Sequence, residues 1–202
     1  DHYSCFLWID GMMGKTSEHV IRSMQRYIAR FGKVKEIRSD AGSEFISNEF
    51  ESWCSENEMR FTAAAPAHQH QNGICERHWA STSNMARRML IRAHLNKKFL
   101  YYAIKYAAVL HNVLPVRGVT HENGDLATPF ELFHNTKPKI KNLRVFGCPA
   151  VRKRYSASDA DHRSTHLSRW NLQKGIRSIF IGLPENRAGW LFYSPNSRIS
   201  TA

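Results

Sequence analysis

The chain has 202 residues, 42% of them hydrophobic, and a formal net charge of +12. That is enough apolar material for one domain, or one domain with a small appendage, and the basic excess points first to a polyanionic partner such as nucleic acid. No run of eighteen apolar residues exists, so no membrane-spanning helix is expected.

Cys5-Phe6-Leu7-Trp8-Ile9 is an apolar run of strand length, ended by Asp10-Gly11. Thr16 or Ser17 is a candidate N-cap, and Val20, Met24, Tyr27, Ile28 and Phe31 then follow helical spacing until Gly32 stops them. Residues 34–38 read as a strand that ends just before Asp40. Ser47 opens a helix with Phe50, Trp53 and Cys54 on its inner face, and residues 59–62 read as another strand. Residues 63–71 are small and polar and read as a loop beside a site. Asn72 is a good N-cap for a helix running to about residue 94, with Glu76 in its first turn. Residues 99–114 form a further helix, apolar on several faces and closed by Pro115. Thr128-Pro129 opens a short one. Residues 143–148, 178–182 and 189–193 read as strands, so a boundary is placed between a first domain, 1–138, and a β-rich second one, 139–202.

The charge is concentrated in this second part. Between Lys137 and Arg177 stand eleven Lys or Arg against Asp159 and Asp161, which is nine of the twelve net charges. Lys137, Lys139, Lys141, Arg152, Lys153 and Arg154 are therefore candidate phosphate contacts, together with Arg77, Arg87 and Arg88 on the long helix. Arg77 and Arg88 are eleven residues apart, close to three helical turns, and so share a face. Trp79, Met89 and Leu90 are assigned to packing. Cys5, Cys54, Cys75 and Cys148 form no C-x-x-C pair and have no zinc-like His spacing. They read as reduced, mostly buried thiols of an intracellular protein.

The most telling pair is Asp40 and Glu76. Thirty-five residues separate them, and each stands in a distinct motif: Arg38-Ser39-Asp40-Ala41-Gly42-Ser43-Glu44-Phe45 and Gln71-Asn72-Gly73-Ile74-Cys75-Glu76-Arg77. Either residue alone would be read as a turn cap or a solvated helix-start carboxylate. Together they make a hard-oxygen ligand pair for Mg²⁺. Two such ions about 4 Å apart support in-line displacement at phosphorus. Glu44 either caps the next helix or supports the site, and support is preferred.

With these two motifs in this order, followed by Leu143-Arg144-Val145-Phe146-Gly147-Cys148 and Phe180-Ile181-Gly182, the chain resembles retroelement integrases, most of all those of copia-type long-terminal-repeat retrotransposons. The resemblance implies an RNase H-like α/β core, followed by the start of an SH3-like region. It implies a site of two aspartates and one glutamate around two Mg²⁺ or Mn²⁺ ions, with Asp40 the second acid and Glu76 the third. It also implies DNA 3′-end processing and strand transfer, DNA ends and target DNA as partners, a homo-oligomer, and a nuclear integration step. Asp1-His2-Tyr3-Ser4 looks like the family's signature at the end of its second strand. Strands one and two and the first acid are thus expected to lie upstream, with residues 5–9 as the third strand. Asp1 and Asp10 are the nearby substitutes, and neither is placed mid-strand. On this reading the fragment alone is inactive. The competing reading is a non-catalytic nucleic-acid-binding relic of a decayed element.

Overall fold

The computed structural model describes residues 1–63, 73–153, 175–185, 188–195 and 197–201. They belong to two units, residues 9–81 and residues 1–8 with 82–202.

In the unit of residues 9–81, the spacing of Val20, Met24 and Ile28 gives helix α1, Ser17–Phe31, one apolar stripe. Gly32, at φ 93°, ends it by donating its N–H to the Ile28 carbonyl at 2.9 Å. Strand β1, Glu36–Ser39, pairs in parallel with β2, Arg60–Ala63, in the register Glu36 to Arg60 through Ser39 to Ala63. Helix α2, Asn48–Glu56, connects them. Its N-cap Ser47 accepts from the Phe50 N–H at 3.1 Å. Phe50, fully buried, meets the rings of Phe45 and Phe61 edge-on and forms the centre of a core with Val20, Cys54 and Met59.

The other unit is built on α4, Leu100–Val113, which buries Ala103, Tyr106, Ala107, Ala108, His111 and Asn112, in keeping with its apolar faces. Strands β3 (Pro149–Lys153), β4 (Gly175–Gly182), β5 (Leu191–Ser194) and β6 (Ser197–Thr201) form an antiparallel sheet in chain order. Tyr106 stacks with Phe146 and meets Phe180 edge-on. Its hydroxyl donates to the Arg144 carbonyl and accepts from the Arg144 N–H. Position 138, where the sequence suggests a boundary, thus lies within a unit whose core includes Leu90, Tyr106, Phe146 and Phe180. Helix α5, Pro129–His134, carries a full capping box between Thr128 and Glu131. The long helix α3, Gly73–Arg92, has Thr82, Ala86 and Leu90 as its buried residues.

Two expected strands are not strands. Residues 5–9 run without a ladder. Asn112 takes the place of a neighbouring strand: its Oδ1 accepts from the Leu7 N–H at 2.8 Å and its Nδ2 donates to the Leu7 carbonyl at 2.7 Å. Cys5 stands at φ 56°, and Phe6 stacks on Phe133 at 4.3 Å. Residues 143–148 are likewise irregular, because Arg144 is held by Tyr106 and the chain turns at Gly147, φ 77°; β3 begins only at Pro149.

His111 supplies a pH dependence. It is 8% exposed and its ring Nε2 donates to the Cys5 carbonyl at 3.1 Å. Burial pushes its pKa below the usual value, with the Cys5 bond acting in the opposite direction. A base with a lowered folded pKa binds fewer protons folded than unfolded, so its burial costs nothing above the unfolded value of about 6.5 and costs progressively more as pH falls through it. The urea midpoint is expected to drop between pH 7.5 and 5.5, and His111→Asn to reduce that drop; an unaltered pH slope in the variant would remove His111 as its source.

Candidate active site

Asp40 directly follows β1, at the carboxyl end of a parallel pair, where open α/β sheets place their ligands. Ser39 is buried and its hydroxyl donates to the Asp40 carbonyl at 2.8 Å, while Asp40 itself is exposed. The chain then makes a tight turn in which the N–H groups of Phe45 and Ile46 both donate to the Gly42 carbonyl. Phe45 pins this turn to Phe50. Glu44 folds back so that its carboxylate atoms lie 3.0–3.2 Å from where a Cβ on Gly42 would be. A side chain at position 42 would thus displace that carboxylate. Glu44 is 9% exposed; its Oε1 is 3.5 Å from the Lys15 ammonium, and its Oε2 is enclosed with no partner among the described residues.

Glu76 stands in the first turn of α3 and is exposed. Asp40 and Glu76 belong to the same unit, residues 9–81. Asn72, the expected N-cap, lies outside the described residues.

The donors fit a hard divalent cation. Asp40, Glu44 and Glu76 offer carboxylate oxygens only, and one of those of Glu44 is enclosed and unsatisfied among the described residues. Among the described residues no group of three or more His, Cys, Asp or Glu is gathered. Asp1 and Asp10 are committed elsewhere. Asp1 caps Ser4 through both its N–H and hydroxyl, and Asp10 accepts from Ser23 and Arg26.

Arg77, Arg87 and Arg88 are exposed along α3, and Arg77 and Arg87 lean on the Gly73 carbonyl and the Asn84 side chain. Lys137, Lys139 and Lys141 are exposed between α5 and β3. Arg152 is half-buried, with its Nε enclosed and unpartnered among the described residues. The Lys153 side chain and Arg154 lie outside the described residues. Trp79 is not a packing residue: it is 53% exposed, although its helical phase is that of the buried Thr82, Ala86 and Leu90 farther along α3. Cys75 is exposed too, and of the four free thiols only Cys54 is fully buried. The residue the sequence does not reveal is Lys15. Its partner Glu44 lies twenty-nine positions away, and no local pattern links them.

The integrase core domain model matches residues 1–69, a stretch that includes Asp40 and ends before Glu76. Over 200 residues, 96% of the chain, the sequence is 30% identical to the retrovirus-related Pol polyprotein from transposon TNT 1-94 of Nicotiana tabacum, and covers 14% of that protein. Over 77 residues, 38% of the chain, it is 30% identical to the Gag-Pro-Pol polyprotein of Simian retrovirus SRV-1, covering 4% of it. The chain therefore spans only a small part of its curated relatives. In three dimensions it is similar to the HTLV-2 integrase catalytic core domain solved in complex with magnesium in a dimeric form, with a TM-score of 0.52 and 22% identity over 66% of this chain and 80% of that one. That likeness is one of fold, the α/β architecture of retroviral integrase cores. Residues 1–69 thus match the integrase core domain, within a chain that is similar over nearly its whole length to a retrotransposon Pol polyprotein.

Proposed function

We infer that the chain is part of a copia-type retrotransposon integrase that processes DNA 3′ ends and joins them to target DNA. The observation carrying this reading is the placement of Asp40 at the end of a parallel strand and Glu76 in the first turn of a helix of the same unit. Asp40 and Glu76 are the residues that would hold Mg²⁺ or Mn²⁺, two ions in the complete site. When bound, such ions supply Lewis acidity to the phosphoryl group and lower the pKa of the attacking water or hydroxyl. The magnesium complex of the HTLV-2 core supports this ligand class. Arg77, Arg87 and Arg88 hold DNA by its phosphates, which fixes position without reading sequence. Like that dimeric core, the assembled protein works as a multimer. The test is Mg²⁺-dependent joining of labelled duplex ends by the polyprotein segment that contains this chain; absence of joined product would overturn the assignment.

DNA binding itself is tested on the exposed lysines. Replacing Lys137, Lys139 and Lys141 together with Ala is expected to reduce the slope of log affinity against log salt by about 2–3, since each phosphate neutralised contributes about 0.9. The side chains are exposed, so the fold is untouched. An unchanged slope would mean that these lysines are solvated and do not meet DNA.

A further inference from the structure

Glu44 is the one buried acid among the described residues, 9% exposed. Burying a carboxylate is costly unless its oxygens are paired, and here the pairing is incomplete. The Lys15 ammonium is 3.5 Å from Oε1, longer than the 2.7–2.9 Å usual for a charge-assisted hydrogen bond, and the Lys15 side chain is 77% exposed. Oε2 is enclosed without a partner among the described residues. A Cβ added at Gly42, two residues after Asp40, would press on this carboxylate at 3.0–3.2 Å. The chain thus keeps a buried acid four positions after Asp40, with one oxygen unsatisfied among the described residues and a loosely held counter-charge. The partner that completes such an arrangement is a hydrogen-bond donor carrying positive charge, and a water on a divalent cation is one, since Mg²⁺ and its analogues retain much of their hydration in proteins.

We propose that Glu44 accepts a hydrogen bond from the hydration shell of a divalent cation held at Asp40, and that Lys15 is the displaceable counter-ion that balances Glu44 until the cation binds. This rests on the reading of Asp40 as a cation ligand. Lys15 is a positioning residue here: it acts on the cation through Glu44. A purely structural pair, tying the residues before α1 to the turn after β1, would give a different response to its removal.

The test measures Mn²⁺ binding to the full 202-residue chain by the loss of the free-ion paramagnetic signal. Lys15→Met removes a positive charge that competes for Glu44 and is expected to tighten Mn²⁺ binding roughly fivefold. Glu44→Gln is expected to weaken it several-fold, and Lys15→Met to have no further effect in that background. Unchanged or weaker binding in Lys15→Met overturns the proposal, as does a Lys15 effect that persists without Glu44. Lys15 is exposed, so its variant carries the test even where Glu44→Gln does not fold. Asp40→Asn separates the two layers. If it leaves Mn²⁺ binding intact, the cation reading itself fails. If it abolishes binding while Lys15→Met changes nothing, only the Glu44–Lys15 proposal fails. No Mn²⁺ binding to any form overturns both.

Discussion

Gly147→Ala is expected to cost about 2–5 kcal/mol and to lower the urea midpoint of the unit that contains residues 82–202 more than any other single glycine replacement. Two penalties add. Gly147 stands at φ 77°, a left-handed conformation in which an L side chain costs about 1–2 kcal/mol. A Cβ there would also be 2.3 Å from the Ala93 Cβ and 3.4 Å from its Cα, and such overpacking typically costs 1–3 kcal/mol. Relief is blocked on both sides: Gly147 donates to the Phe180 carbonyl at 2.8 Å, and the adjoining Phe146 is 4% exposed against Tyr106. Gly118 and Gly124 provide the control. They have nearly the same φ, 86° and 85°, with nothing within 4 Å of an added Cβ. Their Ala variants should show the backbone penalty alone. A Gly147→Ala variant no less stable than Gly118→Ala would mean that the approach to Ala93 is not a real constraint.

That glycine shows what the sequence could and could not disclose. Leu143-Arg144-Val145-Phe146-Gly147-Cys148 is alternating and apolar enough to read as a strand. What decides otherwise is a hydroxyl thirty-eight residues away, since Tyr106 satisfies both backbone groups of Arg144 and leaves that residue no ladder to join. The same holds for residues 5–9, whose period and length suit a strand but whose backbone is claimed by Asn112, more than a hundred positions on. Elements whose determinants are local were legible. Gly32 stops α1, Ser47 caps α2, and the capping box of Thr128 and Glu131 starts α5. The placement of Asp40 and Glu76 at element ends was legible for the same reason, because a strand end and a helix start are written in neighbouring residues. Lys15 was not, because an ion pair between separated turns leaves no periodic trace. Trp79 misled because aromatic residues are usually packed and its helical phase is that of Thr82, Ala86 and Leu90, yet it is 53% exposed: the period marks a face but not how far along the helix that face is covered.

In the polyprotein segment that contains this chain, Asp40→Asn and Glu76→Gln are each expected to lower the rate of DNA joining by about 10³-fold or more, while DNA affinity changes by less than about threefold. Each replacement keeps the shape of the side chain and removes its negative charge, and loss of several kcal/mol of transition-state charge stabilisation corresponds to that factor. Stability should not follow, because both residues are exposed and substitutions at such positions usually stay within about 0.5 kcal/mol. Affinity should not fall either, since binding is governed by cationic contacts to phosphates, and removing an anion near a polyanion weakly favours the complex. The separation between chemistry and binding is the informative readout. A general loss of structure would lower both together, and a residue that only holds DNA would lower affinity and flatten its salt dependence. Asp40→Glu sharpens the point: it keeps the charge but moves it outward by one methylene, and a ligand whose position matters should lose most of its activity there as well. Full joining activity in either neutral variant would remove that acid from the site, whatever its motif and spacing imply.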